Sequence, residues 1–492
     1  MTDKRSTRSV AFAVAVMGLS ALVCFTRLAD DSLWNDEAFS FFVSWRGVAE
    51  TLSLVKLDTQ PPLYYLVLNA WLHLGHSPFV LRAMSALAIV AATGLLFGAG
   101  QRLLGVRIAI LACVLFAVDG TVVEWAQRAR PYALQAFFAA LMLWGFARIW
   151  TEGGKAGWVA YCVAGAAGVL TQYPVGFMLV GVNAAMAWRI FSDLGRNRGL
   201  LLRWVLAQLV LAGLAALWLP SFHEQMSADL TPAAIATRHG IYLISFSGLL
   251  DSLSRLMSVS ALYSRRAPFL AAFGVSAVLG AWSLVRRRQG VPVVAMVVVA
   301  LGIWLLGWRF VHPLFGYVAA ASVWFVLPYA LLLAAGVASL PRWAGAGLMA
   351  ALCLGDALGL YNFYQTSTVP LDRAAAVIGP EIGARDGVLF GDHLGGRWGL
   401  AYYLGPPYAG KLRGLDVLDL SNFEHAPDPG QKVRWLIQGP EDTAGLERLW
   451  VLRPTGEKPL VDPAVALPGG REAFRRELPG LVVERFDRAG AE

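Results

Sequence analysis

Eleven stretches of this chain are long and apolar enough to cross a bilayer, and that repetition limits what it can fold into. A spanning helix needs about 20 mainly apolar residues. Runs of that size, bounded by charge or turn residues, fall near 10 to 28, 77 to 101, 106 to 123, 131 to 149, 157 to 172, 174 to 191, 201 to 221, 268 to 285, 291 to 311, 314 to 339 and 342 to 362. The composition agrees: 57% of the 492 residues are hydrophobic and 15% charged, against about 25% charged in an average soluble domain. The sequence predicts a mainly α, polytopic membrane protein.

The charges are unevenly spread. Residues 1 to 362 carry 26 Lys and Arg against 15 Asp and Glu, whereas residues 363 to 492 carry 15 against 18. Nearly half of the charge thus lies in the last quarter, which reads as a soluble domain (363 to 492) appended to a membrane domain (1 to 362). The basic excess lies mostly in short turns between apolar runs, as cytoplasmic loops require, so it argues for membrane topology and against a nucleic-acid partner.

With the amino terminus cytoplasmic, Arg102 and Arg107, Arg148 and Lys155, Arg189 to Arg203, and Arg286 to Arg288 all fall on the inside. The loop 29 to 76, the turn at 124 to 131, the loop 222 to 267 and the tail then lie outside. The expected location is the inner (plasma) membrane, multi-pass, with an extracytoplasmic C-terminal domain. The first 28 residues have a basic start but lack a clear small-residue cleavage site, and read as a retained span. Cys24, Cys113, Cys162 and Cys353 all sit in apolar stretches and offer neither a disulfide framework nor metal spacing.

Two shorter apolar segments, 61 to 75 and Leu249 to Leu262, read as interfacial helices in the outer loops. In the tail, Gly387–Gly391, Arg434–Gln438, Leu449–Arg453 and Leu481–Phe486 are short apolar runs between Gly and Pro turns. They read as strands of a small α/β domain.

Acids gathered at one membrane face invite a functional reading. The first outer loop holds Asp30, Asp31, Asp36, Glu37, Glu50 and Asp58. Asp36 and Glu37 stand apart because they lie between Trp34 and the apolar segment Ala38 to Trp45, a partly desolvated setting that suits a general base. Asp30, Asp31 and Glu50 read as solvated loop acids. The second outer turn, Glu124-Trp-Ala-Gln-Arg128-Ala-Arg130-Pro-Tyr132, puts two arginines and a tyrosine at the mouth of two helices. Guanidinium groups there suit a phosphate, which they bind bidentately; the bland reading is snorkelling beside a helix-starting proline. His73, His76, His223, His239, His312 and His393 show no paired metal spacing.

Four motifs in order carry a family resemblance: Trp34-Asn-Asp36-Glu37-Ala38, Asp58-Thr-Gln60-Pro61-Pro62-Leu-Tyr64-Tyr, Ser77-Pro-Phe-Val-Leu-Arg82, and Arg128-Ala-Arg130-Pro-Tyr132. Together they resemble the family 39 type of polyprenyl-phosphate-dependent glycosyltransferases, which includes protein O-mannosyltransferases and lipid A aminoarabinose transferases. The resemblance implies the GT-C fold, with interfacial helices beside the spans. It implies transfer of a sugar from a polyprenyl-phosphate lipid to an acceptor hydroxyl on a lipid, polysaccharide or protein, outside the cytoplasm. It also implies that Asp36 is the base and that Glu37 orients the acceptor or assists. Arg130 and Tyr132 are expected opposite Asp36 on the donor phosphate, with Arg82, Arg128, Arg309 and Tyr317 in support, and Asp58, Gln60 and Tyr64 supporting the acceptor loop.

Three positions depart from the family pattern. The usual second-loop glutamate is Arg128, the residue before Pro61 is Gln60 rather than basic, and a late Arg-Tyr reads Gly316-Tyr317. Arg309 or His312 is available to replace the lost late charge. A divalent metal (Mg or Mn) stays open as a cofactor, with Asp36 and Glu124 as the acids that would hold it. The alternatives to an active transferase are a lipid-linked sugar transporter or flippase, a catalytically altered family member, and a scaffold that presents the soluble tail.

Overall fold

The computed structural model describes residues 2–56, 58, 60–229, 267–287, 290–310, 323–365, 369–383, 386–390, 397–405, 446–456, 463 and 467–488. The elements run α1 (Thr2–Phe25), α2 (Asn35–Ser44), α3 (Val48–Val55), α4 (Leu63–Trp71), α5 (Pro78–Leu103), α6 (Val106–Val118), α7 (Gly120–Ala126), α8 (Pro131–Thr151), α9 (Lys155–Thr171), α10 (Val175–Ser192), α11 (Arg198–Ala216) and α12 (Leu219–Asp229). They continue with α13 (Ala267–Arg286), α14 (Val291–Phe310), α15 (Val323–Ser339), α16 (Arg342–Gln365), α17 (Leu371–Ile378), β1 (Asp386–Phe390), α18 (Arg397–Leu404), β2 (Arg448–Pro454), β3 (Gly470–Leu478) and β4 (Leu481–Arg488). The interfacial helix expected at 61 to 75 is α4 with a 3-10 turn at Leu72–Leu74. The one expected at Leu249 to Leu262 lies outside the described residues.

The chain divides into two compact units. One comprises Met1–Leu28, Thr59–Val67 and Leu81–Gln365, and the other Ala29–Asp58, Leu68–Val80 and Thr366–Glu492. Most of the outer loop 29 to 76, grouped above with the membrane helices, therefore packs with the tail.

In the first unit, seven helices are long and apolar enough to cross a membrane among the described residues, or eight if α6 and α7 count as one bent span. The other expected spans reach into residues outside those described or form shorter or bent helices. The run 106 to 123 breaks by 60° between α6 and α7, where Asp119 leaves the helix and accepts the Val122 N–H at 2.9 Å as the cap of α7. The run at 157 to 172 yields α9, 17 residues long, and the part of the run 314 to 339 within the described residues is α15. The run at 291 to 311 becomes the 20-residue α14.

Packing between spanning helices draws on small residues and polar closures rather than on a hydrophobic gradient. A Cβ added at Gly280 of α13 would collide with the Leu332 carbonyl oxygen, and one at Gly336 of α15 with the Ser276 carbonyl oxygen. The Ser276 hydroxyl donates to Leu333 O at 2.9 Å across the same crossing. A closed ring joins α9, α10 and α11. Tyr161 donates to Asn183 at 2.9 Å, Trp204 donates to the same Asn183 oxygen at 2.8 Å, Asn183 donates to Gln208 at 3.2 Å, and Gln208 donates to Tyr161 at 3.1 Å.

The second unit is built on a four-stranded sheet of order β1-β2-β4-β3, with β1 and β2 parallel and the other neighbours antiparallel. On one face Val388, Trp450, Leu452, Leu481 and Val483 pack under Ala374 and Ile378 of α17 and Leu400 and Leu404 of α18. Three of the four expected strands are β1, β2 and β4; the expected strand at Arg434–Gln438 lies outside the described residues. The sequence reading missed β3, whose Arg and Glu residues give the pattern of an exposed strand.

Candidate active site

In the second unit the chain enters α2 through Ser32 to Trp34. Trp34 is extended at the N-cap, its carbonyl accepting the Glu37 N–H at 3.0 Å, and the Glu37 carboxylate reaches back to accept the Trp34 N–H at 2.9 Å. That backward bond is the Glu half of a capping box. It explains why Glu37 is only 1% exposed. Asp36, one residue earlier, is half-buried in the first turn, and its carbonyl accepts the Ser40 hydroxyl at 2.9 Å. A carboxylate in a first turn also faces the favourable end of the helix dipole. Of the acidic pair, Glu37 closes the turn and Asp36 is the more open group.

Residues before Asp36 are held by partners the sequence reading did not identify. The Ser32 hydroxyl donates to the Asp372 carboxylate and accepts the Asp372 N–H at 3.3 Å. The Leu33 N–H donates to the Tyr403 hydroxyl at 2.7 Å, and the Asn35 side-chain oxygen accepts the Trp398 N–H at 3.1 Å. Three such partners more than 330 residues away leave no local pattern to read. Asp58 is half-buried after α3, with its N–H on Val55 O at 3.1 Å.

In the first unit, Arg82 is 3% exposed and Arg130 is 7% exposed. Burying a guanidinium is costly unless it is paired. Arg82 donates to Leu28 O at 3.1 Å, just past the end of α1. Gln127 donates to the carbonyls of Val23, Cys24 and Thr26 and to the Tyr364 hydroxyl at 2.8 to 3.3 Å. The two side chains thus occupy carbonyls that a helix end leaves unpaired. Gln127 was not singled out from the sequence; it is a neutral residue between Glu124 and Arg128, with no local pattern to mark it.

Arg130 is extended at the N-cap of α8, ahead of Pro131 at its first position, where proline loses no needed N–H. Tyr132 is 3% exposed and its ring lies 4.2 Å from that of Trp125. Arg128 pairs with Glu124 at 3.1 Å and stands over the rings of Trp125 and Phe363, so the arginine that replaces the family's glutamate is occupied within its own turn. Tyr64 is fully buried. Gln60 accepts the Gln225 side-chain N–H on its carbonyl at 3.2 Å, and Gln225 in turn accepts from Tyr173 at 2.6 Å. The Arg309 side chain and Tyr317 lie outside the described residues.

Among the described residues no group of three His, Cys, Asp or Glu is placed to hold an ion, and Glu124 is engaged by Arg128.

Residues 59–220 match the family described as dolichyl-phosphate-mannose-protein mannosyltransferase. No curated protein matches the chain in sequence. Among solved structures, the chain is similar to ArnT from Cupriavidus metallidurans in the apo state, at 11% identity and a TM-score of 0.55, over 97% of this chain and 98% of that one. The same protein bound to undecaprenyl phosphate gives 12% identity and a TM-score of 0.56, over 96% and 98%. The oligosaccharyltransferase of Archaeoglobus fulgidus in complex with Zn and sulfate gives 11% identity and a TM-score of 0.51, over 95% of this chain and 72% of that one. The motif resemblance thus rests on two further findings: a mannosyltransferase-family match over residues 59–220, and the GT-C fold along nearly the whole chain.

Proposed function

We propose that this protein is an integral membrane glycosyltransferase that moves a sugar from a polyprenyl-phosphate carrier to an acceptor hydroxyl, with Asp36 as the base. The observation that carries the reading is the first turn of α2, where Glu37 is buried and bonded to the Trp34 N–H while Asp36 is only half-buried. The fold of ArnT, a protein solved with undecaprenyl phosphate, supports a lipid-phosphate donor.

In the reaction, the acceptor oxygen attacks the anomeric carbon as Asp36 takes its proton. The bond from that carbon to the phosphate oxygen breaks, and its electron pair leaves on the polyprenyl phosphate. Attack opposite the leaving group inverts the anomeric centre. Phosphate is a good leaving group, so the remaining work is orientation and stabilisation of negative charge. Arg130 and Arg82, the two buried guanidinium groups among the described residues of the first unit, are assigned to the phosphate, with Tyr132 beside them. Gln60 and Tyr64 support the acceptor loop. The basic turn in which Glu152 accepts from Arg102 and Arg148 is assigned to the cytoplasmic face of the inner membrane, and the tail to the extracytoplasmic side.

A transporter for the same lipid would use broken helices in matching halves. The α6–α7 bend is the one such break among the described residues. The deciding experiment supplies purified protein with an undecaprenyl-phosphate sugar and cell-envelope acceptors. Sugar appearing covalently on an acceptor supports the transferase. Movement of the lipid across vesicles with no transfer to any acceptor rejects it.

A further inference from the structure

The C-terminal tail reads as an appended module, yet its helices hold the turn that carries Asp36. Of the four residues that precede this aspartate, Trp34 is fixed by Glu37, while Ser32, Leu33 and Asn35 are fixed by Asp372, Tyr403 and the Trp398 N–H of α17 and α18. Aromatic contacts extend the hold along α2. Trp398 packs on Phe39 and Phe42 at 5.8 and 5.7 Å, and Tyr402 packs edge-on against Phe41 at 5.1 Å. The fit is tight at Gly399, where an added Cβ would lie 3.3 Å from the Leu33 carbonyl oxygen and collide with Leu371. Behind this contact α17 and α18 are seated on the sheet through Ala374, Ile378, Leu400 and Leu404. Packed side chains and hydrogen bonds thus run without interruption from the sheet to the residue before Asp36.

A ten-residue helix such as α2 is marginal on its own in water. Its direction is therefore set by what it packs on. A general base must lie within hydrogen-bond reach of the proton it removes, and a misplacement of about 1 Å can cost about 100-fold in rate.

We propose that α17 and α18 are a positioning device for the base, with Tyr403, Asp372 and Asn35 as positioning residues, so that the tail is a working part of the transferase. The proposal rests on the reading of Asp36 as the base. It also gives the tail a consequence beyond anchoring: a ligand or partner that shifts α18 would alter turnover while the donor site stays intact.

The test uses the full-length protein in lipid nanodiscs with an undecaprenyl-phosphate sugar and an acceptor it glycosylates. Tyr403→Phe keeps the ring and removes the oxygen that Leu33 bonds; Asn35→Ala removes the bond to the Trp398 N–H. The double variant is expected to lose about 10- to 100-fold in kcat while KM for the lipid donor stays within about twofold. Amide exchange over residues 32 to 38 should quicken by about tenfold, and exchange in the strands should stay at the native rate. Gly399→Ala, which crowds Leu371 of α17 and the Leu33 carbonyl, should show the same split. Native kcat in these variants, or native exchange at residues 32 to 38, overturns the positioning role, and so does a loss in which KM and strand exchange change together with kcat. Asp36→Asn is measured alongside. If it transfers sugar at the native rate, the reading of Asp36 as the base fails and the positioning role falls with it. If it is inactive while the Tyr403→Phe/Asn35→Ala protein has native kcat, the positioning role alone fails.

Discussion

The candidate groups in the two units are placed by opposite means. In the membrane unit Arg82 and Arg128 themselves act as holders, Arg82 on the Leu28 carbonyl and Arg128 on Glu124. In the unit built from the first loop and the tail, Asp36 is held by its neighbours, because the bonds to Ser32, Leu33, Trp34 and Asn35 fix the turn and leave the aspartate half-buried. A cation that also braces the fold cannot be removed without disturbing structure. At Asp36 the bonds of the preceding residues hold the turn without using its carboxylate. Substitutions in the two units should therefore separate stability from chemistry to different degrees.

The largest of these contrasts is expected at Arg130. Arg130→Lys keeps the charge but loses the planar fork that binds phosphate oxygens in pairs, and should lower kcat/KM for the lipid donor by about 100-fold. A native value would move the donor phosphate to other residues. At Arg82 the same test should mix the two effects. Arg82→Met leaves Leu28 O without its charged donor and should cost about 1.5–3 kcal/mol of stability, read as a lower thermal midpoint together with weaker donor binding. An unchanged midpoint would mean that the Leu28 bond contributes little, and would erase the contrast with Asp36.

In the other unit, Glu37 separates charge from shape. Glu37→Gln preserves an acceptor for the Trp34 N–H, since glutamine also serves in a capping box, and should keep transfer near the native rate. Glu37→Ala should cost about 1 kcal/mol and slow transfer through a loosened turn. If Glu37→Gln is as inactive as Asp36→Asn, the Glu37 charge takes part in the chemistry and the division of labour in the pair is wrong.

The smallest effect belongs to the turn after α8. The hydrogen bond from Arg102, followed by that from Arg148, holds the Glu152 carboxyl below its ordinary 4.5. A carboxyl depressed in the folded state contributes stability above its unfolded value, and that stability is lost as pH falls through the folded value. Stability should therefore be flat in Glu152 above about pH 5 and dip only in more acid solution. The dip should be slight, because Glu152 is 42% exposed and exposed pairs are screened. Comparing Glu152→Gln with native protein across pH 3 to 7 checks the sign.

The membrane character, three of the strands and the acidic turn were legible in the sequence because each is a local pattern. Asp36 stood out beside Trp34 and an apolar run, and β2 stood out as Leu-Trp-Val-Leu between charges. The bend between α6 and α7 was not legible, because hydropathy averages over single residues: Asp119 hides inside the run 106 to 123, yet its side chain caps a new helix and bends the chain. The Asp119-Gly120 step was the available signal, as an acid and a glycine side by side often mark a break. The capping role of Glu37 was present in its three-residue spacing from Trp34, although Trp is not a usual cap residue. The partners of Ser32, Leu33 and Asn35 had no signal at all. They come from the far end of the chain, and only folding brings Asp372, Trp398 and Tyr403 to them.

The central claim is that Asp36 removes the acceptor's proton, and its most direct measurement is the single-turnover rate of Asp36→Asn. This change keeps the size of the side chain and the bonds of its neighbours while removing the basic carboxylate. The account predicts native folding, donor binding within about twofold of native, and a rate lower by about 100-fold or more. Transfer by Asp36→Asn at the native rate would contradict it.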